Sequence, residues 1–236
     1  MEDYMFFGSF GDSIEIISAK DYEDKFSTIN CTVSYDSHNK DEKERWVLRK
    51  FLNCCVFGNR LSYPIKFATS EQPDFIVNQP EHCYGIEVTE AVVPKYHQAY
   101  AHARNRGKGE YPIDSYFREE VKIGKKRLHE TFQDPNKPLR GAPWIDNKGL
   151  EMSLKLIIDS VKKKTEHLNS YDYQGITDID LLIYLNSPSS IHTQIEELTR
   201  AFPDYLLRNF QKDCFKKNFR NIHILKGTSI IFNASS

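Results

Sequence analysis

The sequence predicts an α/β fold, a central mixed β-sheet flanked by helices, and three stretches carry that reading. Asp178 to Asn186 holds Leu181, Leu182, Ile183, Tyr184 and Leu185 in a row. A continuous apolar run of strand length belongs to a strand covered on both faces. Leu150 to about Asn169 repeats apolar residues at Leu150, Leu154, Ile157, Val161 and Leu168, the stripe of an amphipathic helix. Phe75–Val77 and Tyr84–Thr89 are β-branched, aromatic-flanked runs on either side of a turn rich in Asn, Gln and Pro. They read as a hairpin or as two neighbouring strands. Strands alternating with helices need those helices on the faces of the sheet.

Taken in order, residues 1–35 alternate weakly (Ile14, Ile16, Ile17; Ile29, Cys31, Val33) and predict one or two strands. The polar stretch Ser37 to Asp41 caps a helix from about Asp41 to Val56, which Gly58-Asn59 ends. Strands follow at 63–68, 74–77 and 84–89. A soft helix at 95–105, the basic break Asn105–Glu110 and a helix from Ser115 to Phe132 come next. A loop rich in Pro and Gly (Pro135, Pro138, Gly141, Pro143) leads into the helix at 150–169 and the buried strand. A helix from Ile191 to about Asn209 and a strand or hairpin at 221–232, turning at Gly227, complete the chain.

The chain of 236 residues reads as one domain. Its core lies at about 40–94 and 150–232, with a helical insertion at about 95–149. Hydrophobic content of 39% supports a sizeable core, and a net charge of −1 leaves any basic surface local. Five cysteines, two of them adjacent (Cys54, Cys55), offer neither a disulfide framework nor a zinc spacing. No apolar run approaches the ~20 residues of a membrane span, and the acidic N-terminus makes a poor signal peptide. The expectation is a cytoplasmic protein with no membrane partner. P-loop and serine-hydrolase motifs are missing from the sequence.

Each run of the central pair carries one carboxylate, Asp74 at the head of the first and Glu87 inside the second. Glu87 points to the face opposite Ile86 and Val88. Two carboxylates on adjacent strands repel, and a hard cation, magnesium or manganese, is the usual remedy. Two helices add to the set. At about 100° per residue, Lys164 falls within roughly 60° of the stripe of its helix, whereas Lys162 and Lys163 point away. The same arithmetic puts Glu44 on the stripe of Val47, Leu48, Phe51 and Cys55.

Together, Pro73-Asp74, the strand Ile86-Glu87-Val88-Thr89, the helix bearing Lys164, the buried strand 179–185 and the N-terminal helix with Glu44 resemble the PD-(D/E)XK nuclease superfamily. The resemblance spans roughly residues 40–186. It implies a restriction-endonuclease-like fold and metal-dependent hydrolysis of phosphodiesters, in DNA in preference to RNA. The family's usual lysine position holds Thr89, so Lys164 would be a lysine migrated to a helix, as in some branches of the superfamily. By the same resemblance Asp74, Glu87 and the Val88 carbonyl would hold magnesium or manganese. Lys164 would position the attacking water or neutralise the phosphate, and Glu44 would bind a second metal or orient a water. Thr89 would hydrogen-bond Glu87. The alternative is a nuclease-like fold without catalysis, serving as a nucleic-acid-binding or protein-interaction module.

Near-neutral charge implies a small footprint on nucleic acid, or help from a homodimer or partner protein. The basic clusters Arg104-Arg106-Lys108, Lys122–Arg127, Lys162-Lys163 and Lys216-Lys217-Arg220 would track a phosphate backbone or form solvated helix faces. The tyrosines from Tyr96 to Tyr116 would stack bases or pack the insertion.

Overall fold

A computed structural model describes residues 13–26, 40–54, 62–93, 147–168, 173, 176–186, 193–209, 219–227 and 229–235. Its elements are β1 (Ser13–Ile16), α1 (Ala19–Phe26), α2 (Lys40–Cys54), β2 (Ile65–Thr69), β3 (Phe75–Gln79) and β4 (His82–Ala91). They continue with α3 (Lys148–Leu168), β5 (Ile179–Leu185), α4 (Ile195–Asn209), β6 (Asn221–Lys226) and β7 (Ser229–Ser235). The expected α/β class with a mixed sheet is present. Both expected helices at 95–132 and the basic and tyrosine clusters of the insertion lie outside the described residues.

The strands lie side by side in chain order, β1 to β7. β1 to β4 run antiparallel, β4, β5 and β6 are parallel, and β7 returns antiparallel after Gly227, which takes a φ of 59°. That left-handed conformation suits glycine at a hairpin turn. Parallel pairs need crossover connections, and α3 and α4 supply them. Leu154, Ile157 and Val161 of α3 and Leu198 and Phe202 of α4 pack with Leu181, Ile183 and Ile224 on one face. Val47, Leu48 and Leu52 of α2, with Tyr22 of α1, cover the other face over Ile86, Val88 and Leu182. Strand β5 is buried along its whole length, as its unbroken apolar run requires.

Two expectations need correction. The N-terminal stretch holds a helix as well as a strand, and the second strand expected around Ile29, Cys31 and Val33 lies outside the described residues. Ser18 Oγ accepts the Asp21 N–H at 3.1 Å while Asp21 Oδ2 accepts the Ile17 N–H at 2.9 Å. This reciprocal cap was visible as Ser-x-x-Asp, but too few apolar residues follow to show a helical period. Strand β4 also begins earlier than expected: His82 and Cys83 belong to it, paired with Gln79 and Asn78, and the turn shrinks to Pro80-Glu81.

Gly85 sits where nothing larger fits. A Cβ there would lie 2.3 Å from Pro73 Cγ and 2.7 Å from Ile179 Cδ1. Gly85→Ala is therefore expected to lower stability by about 1–3 kcal/mol through overpacking. An unchanged urea midpoint would refute that close approach.

Candidate functional site

The site forms where the central hairpin opens. Pairing between β3 and β4 ends at Phe75 opposite Ile86, while β4 continues beside β5 as far as Ala91 opposite Leu185. Among the described residues, no strand pairs with that edge of β4 from Glu87 onward. Gly85 N–H donates to the Asp178 carbonyl and the Ala91 carbonyl accepts from Asn186 N–H, so odd residues of β4 turn their backbone groups toward β5. Even residues turn theirs toward the open edge. Val88 N–H points that way and donates to Asp74 Oδ2 at 2.7 Å. The Val88 carbonyl faces the same edge, since one residue's N–H and C=O share a side of the strand.

Asp74 stands just before β3, in a turn closed by Ser70 N–H donating to its carbonyl at 3.0 Å. Glu87 projects from β4 onto the α3 face and is 5% exposed. Lys164, one turn from the end of α3, bonds Glu87 Oε2 and lies 3.6 Å from Asp74 Oδ2. The helical arithmetic holds here, because Lys162 and Lys163 are exposed while the Lys164 side chain is only 17% exposed. Glu44 comes from α2 on the opposite face of the sheet, half-buried, 3.4 Å from Lys40 Nζ. Four residues from four separate segments thus line one cleft of about 450 Å³, together with Val88 and Thr89.

Electrostatics bind the set together. Burial first, then the charge of Asp74, pushes the Glu87 carboxyl up against the opposing pull of Lys164 and Tyr173. Burial and Asp74 push Glu44 up likewise, against Lys40 and Lys164. Lys164 is raised: burial alone would lower it, but Asp74, Glu87 and Glu44 together outweigh burial. Lys164 is shared between Asp74 and Glu87, while Glu44 has Lys40 as its nearer ammonium.

Oxygen donors from Asp74 and Glu87, with the Val88 carbonyl on the same open edge, suit a hard cation such as magnesium or manganese. A divalent ion would also relieve the repulsion that raises Glu44 and Glu87. Among the described residues no group of three or more His, Cys, Asp or Glu side chains forms a ready-made metal cage. Magnesium does not ask for one, since it is usually held by one or two carboxylates plus water and substrate phosphate.

Sequence reasoning missed Tyr173, a buried residue whose hydroxyl donates to Glu87 Oε1 at 3.3 Å. The hydroxyl that reaches Glu87 is therefore Tyr173's, in the role expected of Thr89, which lines the cleft instead. A lone tyrosine between α3 and β5 leaves no periodic signal. Glu90 accepts a bond from Asn186 Nδ2 at 2.7 Å and lines the cleft. Arg220, expected in a basic surface cluster, makes a bidentate pair with buried Asp180 at 2.8 and 2.6 Å. Its guanidinium also lies 3.8 Å over the Tyr84 ring.

No protein-family model, curated protein or solved structure matches the chain. Among the described residues no helix is long and apolar enough to cross a membrane.

Proposed function

We propose that the chain is a metal-dependent phosphodiester hydrolase acting on nucleic acid, DNA in preference to RNA, with a restriction-endonuclease-like fold. One observation carries this reading: Lys164 reaches both Asp74 and Glu87 at the mouth of an open strand edge. A purely structural acid pair would be matched by its own counter-ions and closed over. Here a third carboxylate, Glu44, lines the same cleft. The lysine on a helix supports the enzyme over the binding module, because it supplies the charge that Thr89 lacks.

Asp74, Glu87 and the Val88 carbonyl would hold magnesium or manganese. Such an ion, when bound, polarises a phosphate oxygen and lowers the pKa of its water. The Val88 N–H fixes Asp74 and the Tyr173 hydroxyl fixes Glu87, so neither carboxylate has to reorganise when substrate arrives. Lys164, held protonated by its acidic neighbours, stabilises the charge that gathers on the phosphate and orients the attacking water. Glu44 sits on the far wall, where it can accept a proton or a hydrogen bond from a water.

Incubation with linear, circular and single-stranded DNA, and with RNA, in magnesium, manganese or EDTA tests this. Cleavage should require the metal. Asp74→Ala and Glu87→Ala should each reduce it by roughly 100-fold or more. Metal-dependent cleavage that survives both changes would place the chemistry elsewhere, and binding without cleavage would favour the module.

A further inference from the structure

Basic side chains from two helices line the cleft beside its acids, which include Glu44, Glu71 and Glu90 as well as Asp74 and Glu87. Lys40 and Lys43 stand on the first turn of α2, and Lys163 and His167 on the last two turns of α3. Spacings of three and four residues put each pair on one helix face. The two helices cover opposite faces of the sheet, so the pairs confront each other across Asp74 and Glu87. Lys163 is exposed and has no ion-pair partner among the described residues. Lys40 is 82% exposed. Lys40 also pairs with Glu44 at 3.4 Å, and lysines from two helices border the same cleft.

The described lining contains no Phe, Tyr or Trp. Strand-binding grooves that hold bases use aromatic platforms, whereas contacts to phosphate position the strand without reading it. We propose that this cleft grips the backbone of a nucleic-acid strand on both sides of the cleaved bond. Lys163 and His167 take the phosphate on one side, and Lys40 and Lys43 take the one on the other. The substrate is then an internal stretch of polynucleotide, held without regard to base sequence at this point, and not a mononucleotide or terminal phosphomonoester. The proposal rests on the nuclease reading for the position of the cleaved bond, but the clamp itself is a binding property.

The test uses the full chain and DNA oligonucleotides carrying a single neutral methylphosphonate at successive positions around the cut. On unmodified DNA, Lys163→Met and Lys43→Met are each expected to lower kcat/KM about 5- to 10-fold. Each should also reduce the slope of log affinity against log salt by about 1. With the neighbouring phosphate neutral on one particular side, Lys163→Met should cost almost nothing further; Lys43→Met should behave so on the opposite side. An equal loss on neutral and charged substrates, or a loss confined to certain base sequences, would overturn the clamp. Fluorescence anisotropy with the same oligonucleotides, in magnesium and in EDTA, separates the two readings. If nothing is cut but both variants still weaken binding and flatten the salt slope, the clamp stands and the nuclease reading falls. If binding is unmoved, the clamp falls.

Discussion

Lys164→Met should lower metal-dependent cleavage roughly 100- to 10,000-fold while tightening the binding of magnesium or manganese. The two effects have one cause. Lys164 Nζ bonds Glu87 Oε2 and lies 3.6 Å from Asp74 Oδ2, on the two carboxylates proposed to hold the ion. At an effective dielectric of about 20, unit charges some 4 Å apart interact by about 4 kcal/mol. Removing the ammonium removes repulsion toward a divalent cation and leaves Asp74 and Glu87 without their shared counter-ion. A tenfold or greater gain in affinity, about 1.4 kcal/mol, is a conservative expectation, and calorimetric titration reads it directly. Methionine keeps the buried stem of the side chain, so the helix packing should survive.

The same change should alter the pH dependence of stability. Glu87 and Glu44 already have folded pKa values above their ordinary ones. An acid of that kind costs nothing below its unfolded pKa, and its penalty grows as pH rises through the folded value. Without Lys164 both values rise further, so the variant should lose more stability than the native chain as pH rises above the ordinary carboxylate range. Added magnesium should restore it. Weaker metal binding in the variant, or unchanged cleavage, would remove Lys164 from the site.

Much of this site was legible because it breaks local rules. Glu87 interrupts an apolar strand, and Lys164 and Glu44 interrupt apolar helix stripes, so periodicity alone selected them; the structure places all three beside Asp74 in one cleft. The long helices and the buried strand were legible for the same reason, since seven buried residues in β5 leave no other reading. What escaped notice lacks a period. Tyr173 stands alone between elements, and α1 is short enough that its cap outweighs its stripe. Asp180 stands just before the apolar run that identified β5, and its partners Arg220, Asn221 and His223 lie some 40 residues further along the chain. A single aspartate at a strand's start reads as turn punctuation until the neighbouring strand brings an arginine to it.

Asp180→Ala should therefore cost about 3–5 kcal/mol, since it strands a partly buried guanidinium. That is a large fraction of the 5–15 kcal/mol typical of a domain. Asp180 is 4% exposed and accepts two bonds from Arg220 and one from Asn221 at 2.9 Å, with His223 Nε2 at 3.5 Å. Burial alone would raise its carboxyl, but His223 and Arg220 outweigh burial and hold it below its ordinary value. A depressed acid stabilises the fold above its unfolded pKa, and that contribution is lost as pH falls through the folded value. The native chain should thus lose stability below about pH 4, and Asp180→Ala should lack this acid step while being weaker at every higher pH. Asp180→Ala with Arg220→Met should recover much of the loss, because the unpaired charge goes with its partner. Recovery in the double variant would assign the cost to the stranded arginine; none would assign it to the cavity left beside Tyr84, the ring against which Arg220 stacks.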